Sequence, residues 1–159
     1  TSDVPIPGDD EVLIKVEASP INPSDLGLLI SFAADLDSIS SSGSGDETVT
    51  TMGIHPGLMQ SMKPRLDKSM QVGNEGGGVI VDAGKNVKDL IGKTVGVAGG
   101  AMYSQYRCLP AMSCLVMNDG TTSAEAASSF VNPLTALGFT ETMKLEIIQL
   151  WFTLRPHQI

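Results

Sequence analysis

Two cysteines and two histidines are the whole supply of thiols and imidazoles in this 159-residue chain. Cys108 and Cys114 build neither a disulfide framework nor a four-thiolate zinc site. They read as two reduced, partly buried thiols of an intracellular protein, and the cytoplasm is the expected compartment. His55 and His157 are isolated, with no Cys or acidic residue at ligand spacing, so no metal site is expected. Positive charge is scarce too. Ten Lys and Arg stand against eighteen Asp and Glu, a formal net charge of −8. That balance excludes most nucleic-acid and anionic-membrane binders. No apolar run is long enough to span a bilayer. No secretory leader is visible, although a chain opening on Thr1 is also what leader removal would leave. Aromatic residues make up only 4%, so the core must be built from Val, Ile, Leu, Met and Ala.

What is present is orderly. "EVLIKVEA" alternates strictly, with Val12, Ile14 and Val16 on one face and Glu11, Lys15 and Glu17 on the other. That pattern predicts a half-buried strand. Pro20 and Pro23 end it, and "NPSDLGLL" predicts a short helix capped by Asn22 with Pro23 in its first turn. "DLDSISSSGSGDETVT" has little to bury and predicts a mobile surface loop over 36–50. "MGIHPGLMQSMKPRLDKSM" carries breakers throughout and predicts one short helix at most. In it, Met59 and Met62 either fill a gap in the core or line a pocket. Strands are expected at Val79–Val81, at Thr94–Ala98, and within "MYSQYRCLP" and "SCLVMND", with turns at Asp82–Asn86 and Gly92–Lys93. Short strands at this spacing suggest a small β-barrel or sandwich. From Thr122 the composition turns helical. Thr122 and Glu125 have capping-box spacing, and Asn132 with Pro133 predicts the start of a second helix.

Chemistry-bearing motifs are few. There is no G-x-S-x-G nucleophile elbow. "NEGGGVIVDAG" does not match G-x-G-x-x-G, and a strand rather than a helix follows its glycines, so it is no phosphate cradle. Gly76, Gly77 and Gly78 read instead as close backbone packing at a barrel seam. The residues by themselves describe a β domain with an α extension.

Taken in order, "EVLIKVEASPINPSDL", "VGNEGGGVIVDAG", "GKTVGV", "MYSQYRCLPA" and "NPLTALGF" resemble the medium-chain dehydrogenase/reductase superfamily. They are similar to its N-terminal GroES-like domain, in the zinc-independent quinone oxidoreductase and enoyl reductase branch. The resemblance implies a mainly β fold with α elements. Residues 1–121 would form a GroES-like, partly open β-barrel, and residues 122–146 the helices leading towards a Rossmann domain. It also implies that the family's opening strand would lie before Thr1.

Departures from the zinc-dependent members matter. Asn22 stands where their first zinc ligand would be, Asn74 replaces the His of Gly-His-Glu, and Val131 falls near the third ligand. An amide and an aliphatic side chain do not replace a thiolate and an imidazole on Zn²⁺. The four-Cys structural lobe has no counterpart. The resemblance therefore implies NADPH as the cofactor and no zinc. It implies hydride transfer to a quinone or to a C=C conjugated with a carbonyl, in the cleft between barrel and Rossmann domain.

By the same resemblance, Asn22, Asn132 and Thr135 lie near the nicotinamide. Asn22 and Tyr103 are the candidate catalytic residues. Ser24, Asp25 and Glu75 come next, the two acids as groups that often support the family's site from behind. Structural readings compete with these roles: Asn22 and Asn132 are also good helix caps, and Tyr103 and Tyr106 also suit barrel packing. The alternative function is a non-enzymatic GroES-like domain that binds another protein or itself, a homodimer included.

The Rossmann sequence expected after "TETMKLE" is replaced by "IIQLWFTLRPHQI". One permitted codon choice for this stretch, read in a neighbouring frame, gives a run containing "ALVHTAAASN". That run resembles the first Rossmann strand and cofactor turn of the branch. The expectation is that 147–159 is a frameshifted tail, that Trp151 and His157 carry no site, and that the chain alone is inactive.

Overall fold

The computed structural model describes residues 3–32 and 34–146. The tail 147–159, with Trp151 and His157, lies outside the described residues.

A five-stranded antiparallel sheet organises the domain. Its strands are β1 (Glu11–Ala18), β4 (Gly76–Ala83), β5 (Thr94–Val97), β6 (Tyr106–Pro110) and β7 (Cys114–Val116), in the spatial order β6-β1-β4-β5-β7. The alternation seen in the sequence is realised in β1. Val12 and Ile14 are fully buried, Val16 is half-buried, and Lys15 and Glu17 face solvent. Register shifts at Leu13/Ile14 and Val16/Ala18 interrupt the β1–β4 ladder. Such bulges sharpen the local twist and curl a sheet, here into a half-barrel. Val12, Ile14, Ile80, Ala83, Val95, Val97, Met102 and Leu109 fill its concave side. The methionine in this core is Met102. Met59 is exposed, and half-buried Met62 accepts a hydrogen bond from the Ser31 hydroxyl on its sulfur.

The 36–50 region is not a plain loop. It forms most of a second antiparallel pair, β2 (Ala34–Ser42) with β3 (Val49–Ile54). The segment is as solvent-exposed as its composition suggests. Thr50, Thr51 and the serines pair as strands because cross-strand hydroxyl contacts suit them, Ser41 to Thr50 at 3.0 Å among them. Helix α1 (Pro23–Leu29) follows β1, and Arg65 donates to the Gly27 and Leu28 carbonyls at its C-terminal end. The segment after β3 holds one helical turn, α2 (Met59–Met62), between two 3₁₀ turns.

Two helices close the described chain, α3 (Ser123–Ala127) and α4 (Val131–Glu146). The expected capping box starts α3. Thr122 Oγ1 accepts from the Glu125 N–H at 3.3 Å, and Glu125 accepts from the Thr122 N–H at 2.9 Å. Ala126 and Ala127 bury this short helix against the sheet. Close backbone packing, as expected for these glycines, is found at this contact, since a side chain on Gly77 would collide with the α3 backbone. Helix α4, by contrast, buries none of its sixteen residues.

Candidate functional site

Two acids that the sequence offers as secondary candidates are the centre of a buried polar cluster, the candidate site. Asp25 and Glu75 are both 0% exposed, and Asn22 beside them is 7% exposed. A buried carboxylate is tolerated only when donors surround it. Both have them. Asp25 Oδ2 accepts from the Asn22 N–H at 2.8 Å, and its Oδ1 accepts from the Asn74 N–H at 2.8 Å. Glu75 Oε1 accepts from Asn22 Nδ2 at 3.0 Å. Its Oε2 accepts from the Phe130 N–H at 3.3 Å and the Val131 N–H at 2.8 Å. Ser19 adds its hydroxyl to the Glu75 carbonyl. Asn74 Nδ2 donates to Ser24 Oγ at 2.8 Å.

This network joins Asn22, Asn74 and Val131, the three positions where the zinc-dependent pattern would place ligands. Asn22 touches both carboxylates, Asn74 hangs from Asp25, and Val131 hangs from Glu75. Among the described residues, no group of three or more His, Cys, Asp or Glu could hold a metal ion.

Asn22 is the N-cap of α1, as its sequence position suggests, but its side-chain amide is drawn across to Glu75. Asn132 does not cap α4. The helix begins one residue earlier, at Val131, and the Phe130 carbonyl accepts its first helical bond from Leu134. Pro133 has no N–H to satisfy. Glu75 takes the N–H groups of Phe130 and Val131, and a carboxylate is also the charge that a helix N-terminus favours. Asn132 is left exposed, and its side chain has no partner among the described residues. Thr135, one turn on, donates its hydroxyl to the Val131 carbonyl at 2.7 Å.

Tyr103 lies on the other side of the network. Its hydroxyl donates to the Pro20 carbonyl at 3.0 Å. Burial, and then the neighbouring Asp25 carboxylate, hold the phenol above its ordinary pKa. Its proton is therefore retained at neutral pH and already committed. Gly73, at φ +95°, passes so close that a Cβ there would stand 2.6 Å from the Tyr103 ring. A shallow groove of about 380 Å³ runs beside Tyr103, lined by Val16–Ser19 and Met102–Gln105. Tyr106 is half-buried on β6, opposite Lys15, and joins none of this.

The fold of the chain matches known structures. This chain has the GroES-like fold of the medium-chain dehydrogenases/reductases. A protein assigned as an NADPH:quinone reductase from Mesorhizobium loti superposes with a TM-score of 0.59 and 28% identity, over 90% of this chain. A mycobacterial protein solved with NADPH gives a TM-score of 0.57 at 21% identity over 89% of this chain. The CurK enoyl reductase gives 0.57 at 17% over 85%; at these last two identities the likeness speaks for the fold alone. The chain spans about a third of their length, 35%, 36% and 35% respectively. No family model and no curated protein matches the sequence. No described helix is long and apolar enough to cross a membrane.

Sequence reasoning undervalued Glu75. The signal was present: an acid flanked by Gly73 and Gly76–Gly78, at the entry to an apolar strand, with no basic residue from Gln71 to Gly84.

Proposed function

We propose that this chain is the barrel half of a zinc-independent, NADPH-dependent oxidoreductase acting on quinones or conjugated enones. The observation that carries the reading is the match over 90% of the chain to a protein assigned as an NADPH:quinone reductase. When bound, NADPH supplies the hydride. The residues here suit its nicotinamide end. The exposed Asn132 amide offers both a donor and an acceptor, and the Thr135 oxygen keeps a lone pair while its proton is held by Val131. Asn22, fixed by Glu75, would border the same end from α1. A pyrophosphate cradle is another matter. It needs a parallel strand–turn–helix unit, and both described sheets are antiparallel throughout. On this reading Asn22, Asn132 and Thr135 border the nicotinamide, and a parallel strand–turn–helix unit for the pyrophosphate is not among the described residues.

Titrating the 159-residue chain with NADPH, with amide signals followed by NMR, tests this. The expected result is weak binding with shifts at Asn22, Asn132 and Thr135. NADPH oxidation with a quinone or enone should not exceed the blank. Clear turnover would overturn the inactivity of the isolated chain while leaving the oxidoreductase reading intact. A second reading rests on α4, where Leu134, Leu137 and Leu145 fall on one side of the helix and are all more than half exposed. That face suits self-association. No NADPH shifts together with a stable dimer in sedimentation would favour it.

A further inference from the structure

We infer that Glu75 is a positioning residue that clasps the N-terminus of α4 to Asn22, so that the two sides of the candidate site are set by one carboxylate. The inference rests on the oxidoreductase reading for its functional meaning, but its geometry stands apart from any cofactor. Glu75 Oε1 holds Asn22 Nδ2 at 3.0 Å, and Glu75 Oε2 holds the Val131 N–H at 2.8 Å and the Phe130 N–H at 3.3 Å. The side chain is fully buried, so water does not compete for either oxygen. Helix α4 has no buried residue of its own that would fix it by packing. Its bearing on the barrel is therefore set at its first turn. Asn132 follows directly on Val131, and the Thr135 hydroxyl is bonded to the Val131 carbonyl, so both move with the clasped residue.

The donor pattern makes the clasp testable by exchange of parts. A carboxylate accepts on both oxygens, and its neighbours donate from both sides. Glu75→Gln puts an NH₂ on one of those sides. The substituted side chain then faces either the Asn22 amide or the α4 N–H groups with a donor against a donor, unless Asn22 turns over. Asn22→Asp sets two carboxylates face to face. Combining N22D with E75Q restores every link. The introduced NH₂ donates to the introduced carboxylate, and the carboxamide oxygen accepts from Phe130 and Val131. An aspartate also remains a good cap for α1.

Amide hydrogen exchange at Val131 reads the result without cofactor, with Val95 in the core sheet as the folding control. Exchange at Val131 should accelerate about tenfold or more in N22D, as expected when a buried hydrogen bond loses its partner. In N22D/E75Q it should return to within about threefold of the parent protein. The N22D effect is decisive because Asn22 does not itself touch Val131. Unchanged Val131 exchange in N22D, or a double variant no slower than N22D, would overturn the clasp. If N22D unfolds altogether, the double variant decides: a folded protein with protected Val131 supports the clasp, and an unfolded one sinks it. Absence of NADPH binding in the parent protein would sink the oxidoreductase reading and leave this coupling standing.

Discussion

Gly77 lies directly beneath Ser123. A Cβ built on Gly77 would collide with the Ser123 carbonyl oxygen and stand 2.6 Å from the Ala127 backbone nitrogen. The missing side chain is what lets α3 sit on β4, and α3 in turn delivers the chain to Phe130 and the Glu75 clasp. Gly77→Ala should therefore destabilise the domain by about 3 kcal/mol, at the upper end for overpacking a close contact. Gly138 is the control. It sits within α4 with nothing within 4 Å of a built Cβ. Gly138→Ala should stabilise by about 0.5–1 kcal/mol, the ordinary helix-propensity difference. Urea unfolding of the two variants checks both signs, and equal effects would discredit the packing argument.

The contrast between these glycines bears on what the sequence could reveal. Strand signals are local, so β1 is legible from its alternation, and β4, β5, β6 and β7 from short apolar runs between turn residues. The α3 capping box was legible for the same reason, because both its partners lie within three residues. The hairpin of β2 and β3 was not. Serine and threonine runs carry no hydrophobic alternation, and what pairs them is a cross-strand contact between residues nine apart, Ser41 and Thr50. The cap of α4 departs from its local signal in a similar way. Asn132 has the composition of a cap, yet the donors are satisfied by Glu75, fifty-five and fifty-six residues away along the chain. A local rule sees the candidate at hand, and folding supplies a better acceptor from elsewhere.

Thr122 and Glu125 give a pH dependence with a definite sign. The Thr122 backbone N–H, and then its hydroxyl, hold the Glu125 carboxyl below its ordinary pKa. A carboxyl whose pKa is depressed by folding contributes stability that is complete above its unfolded pKa. That contribution is lost as the pH falls through the folded value. Thr122→Ala removes the hydroxyl half of the box. The variant should melt at a lower Tm near neutral pH, and its deficit should shrink on acidification. Thermal melts across the acid range test this, and a deficit independent of pH would argue that Glu125 takes no part.

The two thiols should be sluggish. Burial pushes the Cys114 thiol up to about 11. Burial first, and then the Glu11 carboxylate whose oxygen lies 3.5 Å from the sulfur, raises Cys108. Only the thiolate reacts, so at pH 8 about a thousandth of Cys114 is competent. Alkylation by iodoacetamide should be slow at pH 8 and should rise about tenfold per pH unit towards pH 10. Mass spectrometry of the labelled protein distinguishes the two sites. Rapid modification of Cys114 at neutral pH would show that the thiol is not held in its protonated form.

Asp25 offers the most direct test of the buried network. Its two oxygens accept one backbone N–H each, from Asn22 and from Asn74, both at 2.8 Å. Asp25→Asn preserves shape but turns one acceptor into a donor, which then faces an N–H with no water to relieve it. The expected loss is on the order of 2 kcal/mol or more, the cost of leaving a buried donor unsatisfied. Ser24→Ala removes the hydroxyl that accepts from the Asn74 side-chain amide at 2.8 Å, but at the exposed edge of the same cluster. Water replaces that partner, so the cost should stay within about 0.5 kcal/mol. Chemical denaturation of both variants separates the two cases. If Asp25→Asn proved as mild as Ser24→Ala, the carboxylate would not be the fastening that joins α1 to the turn before β4. The placement of Asn22 would then have to depend on Glu75 alone.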